Sequence, residues 1–249
     1  MSAEHGPSTY GDRIADAYDE RYLSRFADDT ARAVSFLKDL AGDGPALELG
    51  VGTGRIAIPL SQAGVEVHGI DASEAMVSKM RSKPGGEAIQ VTIGNFGDFH
   101  LPTRFRTIYV VFNTFFGLLT QEEQLSCFGA VARHLAEDGV FVMQAFVPDV
   151  TRFDVHNQRI SVEAVGTDEV TIETSTHDPF GQRTDSAYVV LGERGVQFYP
   201  LKLRYAYVSE LDLMARIAGL AVRERWTGWQ REPYPGANWM HVSVWECAR

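Results

Sequence analysis

The sequence predicts an α/β protein: a mostly parallel sheet covered by helices, with an antiparallel β-sheet inserted late in the chain. Three observations carry this. Between Ala46 and Ala145, short apolar runs alternate with helical patterns, as in a parallel sheet buried on both faces. Between Ile160 and Tyr207, four segments alternate apolar and polar residues, as antiparallel strands with one wet face do. After these the chain returns to a helical pattern and two apolar runs, a closing hairpin for the main sheet. The expected organisation is residues 1–148 with 208–249 as one unit and 149–207 as the inserted sheet.

Taken in order, Met1 to Ser8 is small and polar and is expected to be loose. Tyr10 to Leu40 reads as helical, with Ile14, Tyr18 and Tyr22 at intervals of four and Ala33, Phe36, Leu37 and Leu40 continuing a face. Gly42-Asp43-Gly44-Pro45 breaks it. Strands follow at Ala46–Leu49, Val65–Ile70, Gln90–Ile93, Ile108–Phe112 and, after the Asp138-Gly139 turn, Val140–Ala145. Helices are expected at Arg55–Ala63, at Ser73–Arg81 with Ser73 as N-cap, and at Gln121–Leu135. The alternating segments are Ile160–Val165, Val170–His177, Thr184–Leu191 and Val196–Tyr207, separated by glycine-bearing turns. Ser209 is placed as the cap of a helix ending at Gly219, before strands at Val222–Trp226 and His241–Trp245.

Composition narrows the function. Twenty-three Lys and Arg against 33 Asp and Glu give a net charge of -10, without the basic cluster that a nucleic-acid backbone requires. The longest apolar stretch, Ile108 to Leu119, contains Asn113 and Thr114 and is too short to span a bilayer, so no membrane partner is expected. Cys127 and Cys247 are isolated and show no metal-ligand spacing, and the N-terminus lacks a signal-peptide pattern, which reads as cytoplasmic. A homodimer is compatible with all of this.

The chemistry begins at Glu48-Leu49-Gly50-Val51-Gly52-Thr53-Gly54-Arg55, where a strand ends, the chain turns on glycines and a helix starts. Such glycines allow a tight turn and let a ligand touch the backbone. The spacing is G-x-G-x-G preceded by an acid. A dinucleotide fingerprint needs a glycine where Arg55 stands, for close helix–strand packing. Asp71 ends the second strand about 20 residues on, the offset at which an acid accepts ribose hydroxyls. The third strand ends in Gly94-Asn95-Phe96, which offers a side-chain amide and a backbone N–H to an adenine edge. The fourth ends in Phe112-Asn113-Thr114.

On these residues the chain resembles the class I S-adenosylmethionine-dependent methyltransferases, over roughly Tyr10 to Ala145. The resemblance implies a Rossmann-like fold and S-adenosylmethionine as cofactor. It implies that Glu48, Gly50, Gly52 and Gly54 form the glycine motif, that Asp71 is the ribose acid, and that Ala72 and Met76 pack adenine. The family usually has Asp where this chain has Asn95, which keeps an acceptor oxygen. The run Tyr10 to Asp19 and the inserted sheet are similar to bacterial amino-sugar N-methyltransferases, which implies Tyr10 on the cofactor and Tyr18 toward a small-molecule acceptor. Some of those enzymes carry a His where this chain has Gly117-Leu118-Leu119.

The remaining candidates are weighed between pocket and core. Phe112, Phe115 and Phe116 read mostly as core, with one or two lining a pocket. Tyr22, Asn113 and Trp229 are candidate acceptor contacts, although Tyr18, Tyr22 and the tryptophans serve equally as packing. Arg152 is the charge expected at a pocket mouth. The histidines share no ligand spacing, and no catalytic base declares itself. Methyl transfer to an amine or hydroxyl of a small molecule is the expectation. A nicotinamide-dependent oxidoreductase and a non-methylating, cyclase-like protein are the alternatives.

Overall fold

A computed structural model describes residues 6–23, 25–193, 195–235 and 238–248. The expectation for the first residues falls largely outside these. Helices α1 (Thr9–Tyr22) and α2 (Ala27–Ala41) precede β1 (Ala46–Leu49), α3 (Ala57–Gln62), β2 (Val67–Asp71), α4 (Glu74–Arg81), β3 (Gln90–Ile93), β4 (Phe105–Val110), α5 (Gln121–His134) and β5 (Leu135–Phe146). Four strands follow: β6 (Gln158–Val165), β7 (Glu169–Asp178), β8 (Arg183–Gly192) and β9 (Gly195–Arg204). Then come α6 (Val208–Ile217), β10 (Leu220–Trp226) and β11 (Met240–Cys247).

The main sheet has the order β10-β11-β5-β4-β1-β2-β3. β11 runs antiparallel to β5 and to β10, and the other neighbours are parallel. Alternation along each strand divides the core. Leu47, Ile108 and Phe141 pack with Phe128 and Leu211 on one face, and Ala46, Tyr109 and Val142 pack with Leu37 and Leu60 on the other. β6-β7-β8-β9 form a separate antiparallel sheet. None of the described helices is long and apolar enough to cross a membrane.

The structure corrects several local expectations. Tyr10–Leu40 is two helices, because Phe26 leaves helical geometry (φ -115°, ψ 20°) and packs its ring 4.9 Å from Phe112. β5 starts at Leu135, so Asp138-Gly139 is no turn before the strand. It lies inside the strand, at a register shift against β4. A Cβ at Gly139 would lie 2.8 Å from the Phe105 carbonyl oxygen, which excludes larger residues there. Ser209 is not the cap of α6. That position is Tyr207, and Ser209 lies inside the first turn. β4 ends at Val110, two residues before Phe112, because Phe112 and Asn113 both have positive φ (57° and 66°).

The polarity of the inserted sheet is also unexpected. Polar residues such as Arg159, Glu173, Ser175 and Ser186 face the rest of the molecule, while several large apolar residues face solvent: Ile160 is 76% exposed and Phe198 is 60% exposed.

Candidate active site: a glycine cradle under an acidic helix

The carboxyl ends of β1, β2, β3 and β4 open into a cavity of about 1510 Å3. One wall is the β1–α3 turn. Gly50, Gly52 and Gly54 have φ of +76°, +55° and +79°, which only glycine adopts without strain. The Gly52 N–H donates to Asp71 Oδ2 at 2.7 Å, and the Ser73 N–H donates to Asp71 Oδ1 at 2.8 Å. Asp71 is thereby held at the start of α4, and burial pushes its carboxyl up from the usual range. Ser73 caps α4 by accepting the Met76 N–H at 3.2 Å.

Glu48 is buried and accepts the Tyr109 hydroxyl at 3.1 Å. Burial pushes its carboxyl up to about 8, against the opposing pull of the Tyr109 hydrogen bond and the Arg55 charge. Arg55, read from sequence only as the residue that spoils a dinucleotide motif, is a buried cation at this site. It donates to Thr30 Oγ1 at 2.9 Å and lies 4.9 Å over the Phe112 ring. Burial also raises the Tyr18 hydroxyl, to about 12, with Arg55 pulling the other way.

A second wall is α1. Asp12, Asp16 and Asp19 fall on one helix face, and each reaches a different part of the cradle. Asp12 accepts the Ser73 hydroxyl at 2.7 Å, and Asp16 pairs with Lys79 at 2.8 Å. Asp19 accepts the Thr53 hydroxyl at 2.7 Å and pairs with Lys83 at 2.6 Å. Their spacing is visible in the sequence, but their partners are not. The helix thus carries Tyr10, Tyr18 and Tyr22 to the cavity, with the Tyr10 and Tyr22 hydroxyls 3.4 Å apart.

The β4 end supplies the floor. Asn113 Oδ1 accepts the Phe146 N–H at 2.8 Å, and Gln144 Oε1 accepts the Phe112 N–H at 3.1 Å. These side-chain bonds replace strand pairing and hold the left-handed turn, which is costly for a phenylalanine. They direct Phe112 against Tyr22, Phe26 and Arg55. Phe115 and Phe116 are fully buried in the core.

The polar face of the four-stranded sheet closes the cavity. Arg159 Nη1 lies 3.4 Å from Glu173, and Arg159 Nη2 lies 3.7 Å from Glu163. Ser175 and Ser186 hydroxyls are 2.8 Å apart on the neighbouring strands. Tyr188 and Tyr199 stand beside them, and Arg21 of α1 lies 4.7 Å over the Tyr199 ring. Sequence reasoning missed this group because nothing in an alternating pattern says which face turns inward.

Most residues singled out from sequence line this one cavity. Tyr10, Glu48, Gly50, Gly52 and Asp71 do so with Ala72, Met76, Asn95 and Phe96. Phe112, Tyr18, Tyr22, Asn113 and Arg152 do so as well. Asn95 is exposed there, its Oδ1 accepting the Gly97 N–H at 2.9 Å. Two expectations are corrected. Gly54 lies behind the cavity, where a Cβ would meet Met80 and Ile58 at 2.6 and 2.9 Å, so it serves packing. Trp229 is a core residue, buried 5.4 Å from the Phe36 ring, and the tryptophan in the cavity is Trp239. Among the described residues, no three His, Cys, Asp or Glu side chains gather as metal ligands.

The cradle suits the cofactor: a glycine turn whose backbone lies open to the cavity, a carboxylate pinned for a ribose, and an apolar shelf at Met76. The fold and this site define a class I S-adenosylmethionine-dependent methyltransferase, and the chain belongs to that family. A family model described as a methyltransferase domain matches residues 46–139. The solved CcbJ methyltransferase from Streptomyces caelestis is 38% identical and superimposes with a TM-score of 0.91, covering 98% of this chain and 100% of its own. The cypemycin N-terminal methyltransferase of a Streptomyces species is 29% identical over 231 residues, 92% of this chain and 93% of its own. The S-adenosylmethionine-bound amino pentose methyltransferase CalS10 from Micromonospora echinaspora shares the fold at 21% identity (TM-score 0.66), covering 91% of this chain and 95% of its own. The oxidoreductase alternative is thereby set aside.

Proposed function

We propose that the enzyme methylates an amine on a small, hydrogen-bonding molecule held between α1, the β4 end and the four-stranded sheet. The observation that carries this is the inverted polarity of that sheet. Arg159, Glu173, Ser175, Ser186 and Tyr188 turn toward the cradle, which favours an acceptor that exchanges water for many hydrogen bonds. Residues 149–207 would then be the acceptor-side unit, with Arg152 at its rim.

An amine fits better than a hydroxyl for a chemical reason. S-adenosylmethionine supplies an electrophilic methyl group on its sulfonium. A neutral amine attacks it without losing a proton first, whereas a hydroxyl needs a base within hydrogen-bond reach. Burial holds Glu48 toward its protonated form and pushes the Tyr10 and Tyr18 hydroxyls up, so none of these three stands ionised as a base at neutral pH. The chain's own part is orientation, which is worth roughly 7–11 kcal/mol of barrier in favourable cases. The name of the cypemycin N-terminal methyltransferase, a relative aligned along nearly its whole length, agrees with an amine. Unpaired Cys127 and Cys247 agree with a reducing cytoplasm.

The test is release of S-adenosylhomocysteine on a panel of polar primary and secondary amines beside matched alcohols and phenols. Turnover on amines is expected. Turnover confined to hydroxyl acceptors would overturn the amine reading while leaving the cofactor intact. Binding of S-adenosylmethionine without turnover on any acceptor class would favour the cyclase-like alternative.

A further inference from the structure

Alternation along β7 turns Glu173, Ser175 and His177 inward, in register with Tyr188, Ser186 and Thr184 of β8. His177 ends this polar row. Phe153 stacks on its ring at 4.6 Å, and its Nε2 lies 2.8 Å from the Tyr205 hydroxyl. Phe153 and Tyr205 both line the cavity. Burial pushes the Tyr205 hydroxyl up, so it stays protonated at neutral pH and donates, and His177 Nε2 accepts. The Tyr205 oxygen keeps lone pairs for a second partner.

The pair stands where the inserted sheet meets the turn after β4. β9 packs against the short 3-10 helix Thr114–Gly117. Tyr205, just past β9, shares a core cluster with Phe115, Phe116 and Leu118. The same short helix touches the glycine cradle, where a Cβ at Gly50 would run into the Thr114 side chain. We propose that His177 and Tyr205 form a relay that takes the proton from an acceptor amine arriving as its ammonium, an inference that rests on the amine reading above.

The relay balances. An ammonium N–H bond breaks with its electron pair left on nitrogen, and the proton goes to Tyr205 Oη. The Tyr205 O–H proton passes to His177 Nε2, leaving a neutral tyrosine and an imidazolium. The freed lone pair forms the N–CH3 bond while the CH3–S bond breaks with its electrons going to sulfur. His177 keeps 9% of its surface open, so its proton can return to solvent between turnovers. An imidazole ordinarily titrates near about 6.5 and an alkylammonium near about 10.4, a gap that a positioned base can bridge. An alcohol lies far beyond it. The charged residues on the elements packed against the pair are Asp178 on β7, Arg183 on β8, Arg204 on β9, Glu210 on α6, and Arg152 and Asp154 on either side of Phe153. Arg204 and Glu210 pair with each other at 2.7 Å, and Arg159 on β6 pairs with Glu173 at 3.4 Å. The Tyr207 ring lies 5.9 Å from that of Tyr205.

The pH dependence of kcat/KM tests the relay, with the primary or secondary amine of the panel that turns over fastest. The wild type is expected to be flat between about pH 7.5 and 9. His177→Gln still accepts the Tyr205 hydroxyl but cannot take up a proton, and Tyr205→Phe cuts the path. Each is expected to lose about 100-fold at pH 7.5 and to regain about tenfold per pH unit, as the acceptor itself deprotonates. Far-ultraviolet circular dichroism and the S-adenosylmethionine Kd are expected to stay within twofold of wild type. If His177→Gln folds poorly, Tyr205→Phe carries the test. A pair that only ties Phe153 to the strand end predicts a loss equal at every pH, or wild-type activity in His177→Gln. Either result would overturn the relay and leave the amine reading standing. Turnover confined to hydroxyl acceptors, or none on the whole panel, shows in the wild type alone and would overturn the two together.

Discussion

Asp71 spends one lone pair of each oxygen on a backbone N–H, so the carboxylate is oriented before a ligand arrives. Its removal leaves the Gly52 and Ser73 N–H groups without their acceptor and, if Asp71 is the ribose acid, deprives the cofactor's ribose of one as well. Asp71→Ala is expected to weaken S-adenosylmethionine binding about 10- to 100-fold by isothermal titration, the scale of one or two charge-assisted hydrogen bonds. Glu48 makes a different prediction. Its carboxyl titrates near 8 in the folded chain, against an ordinary 4.5. The folded state holds a proton that the unfolded chain gives up, so this contribution to stability is complete below about pH 4.5 and is lost as pH rises to about 8. Glu48→Gln cannot titrate and can still accept from Tyr109. Its melting temperature is expected to fall less than that of the wild type between pH 5 and pH 8, by a difference worth about 1 kcal/mol or more. Identical slopes for the two proteins would refute the assignment. At this scale the sequence was informative wherever chemistry sits on the backbone path, as at Glu48, Gly52 and Asp71. It was silent on Arg55, whose role depends on Thr30 and Phe112, 25 and 57 residues away in the chain.

The same division appears among the elements. Parallel strands buried on both faces, the Ser73 cap and the closing β10–β11 hairpin were legible because each rests on local chemistry or on a run of apolar residues. The break between α1 and α2 was not, since it is driven by packing of Phe26 on Phe112. That break lets α1 lie across the cradle, where its acidic face is docked unevenly. Asp19 is partly buried and meets both Thr53 and Lys83, whereas Asp16 meets Lys79 in solvent. An exposed ion pair contributes little, and a sheltered one more. Asp19→Ala is therefore expected to raise the KM for S-adenosylmethionine about three- to tenfold, and Asp16→Ala to leave it within about twofold. Equal effects would mean that α1 docks by its apolar residues, Ile14 and Ala15, instead.

For the whole molecule, the two sheets divide the work. The parallel sheet carries the glycine cradle at its carboxyl edge, and the polar face of the antiparallel sheet stands across the cavity. If that face recognises the acceptor, Glu173→Gln and Ser186→Ala should raise the acceptor KM severalfold, with the S-adenosylmethionine Kd within twofold of wild type. Loss of both affinities together would point to a distorted cavity. The sequence by itself determined the fold class, the glycine turn and its acid, because these depend on periodicity and on backbone conformations few residues can adopt. Only the tertiary structure decided which face of β6 to β9 turns inward, that Trp229 is core and Trp239 is not, and that Arg55 lies buried at the cavity. Those outcomes depend on contacts between residues far apart in the chain, and an alternating pattern reads the same whichever face meets the protein.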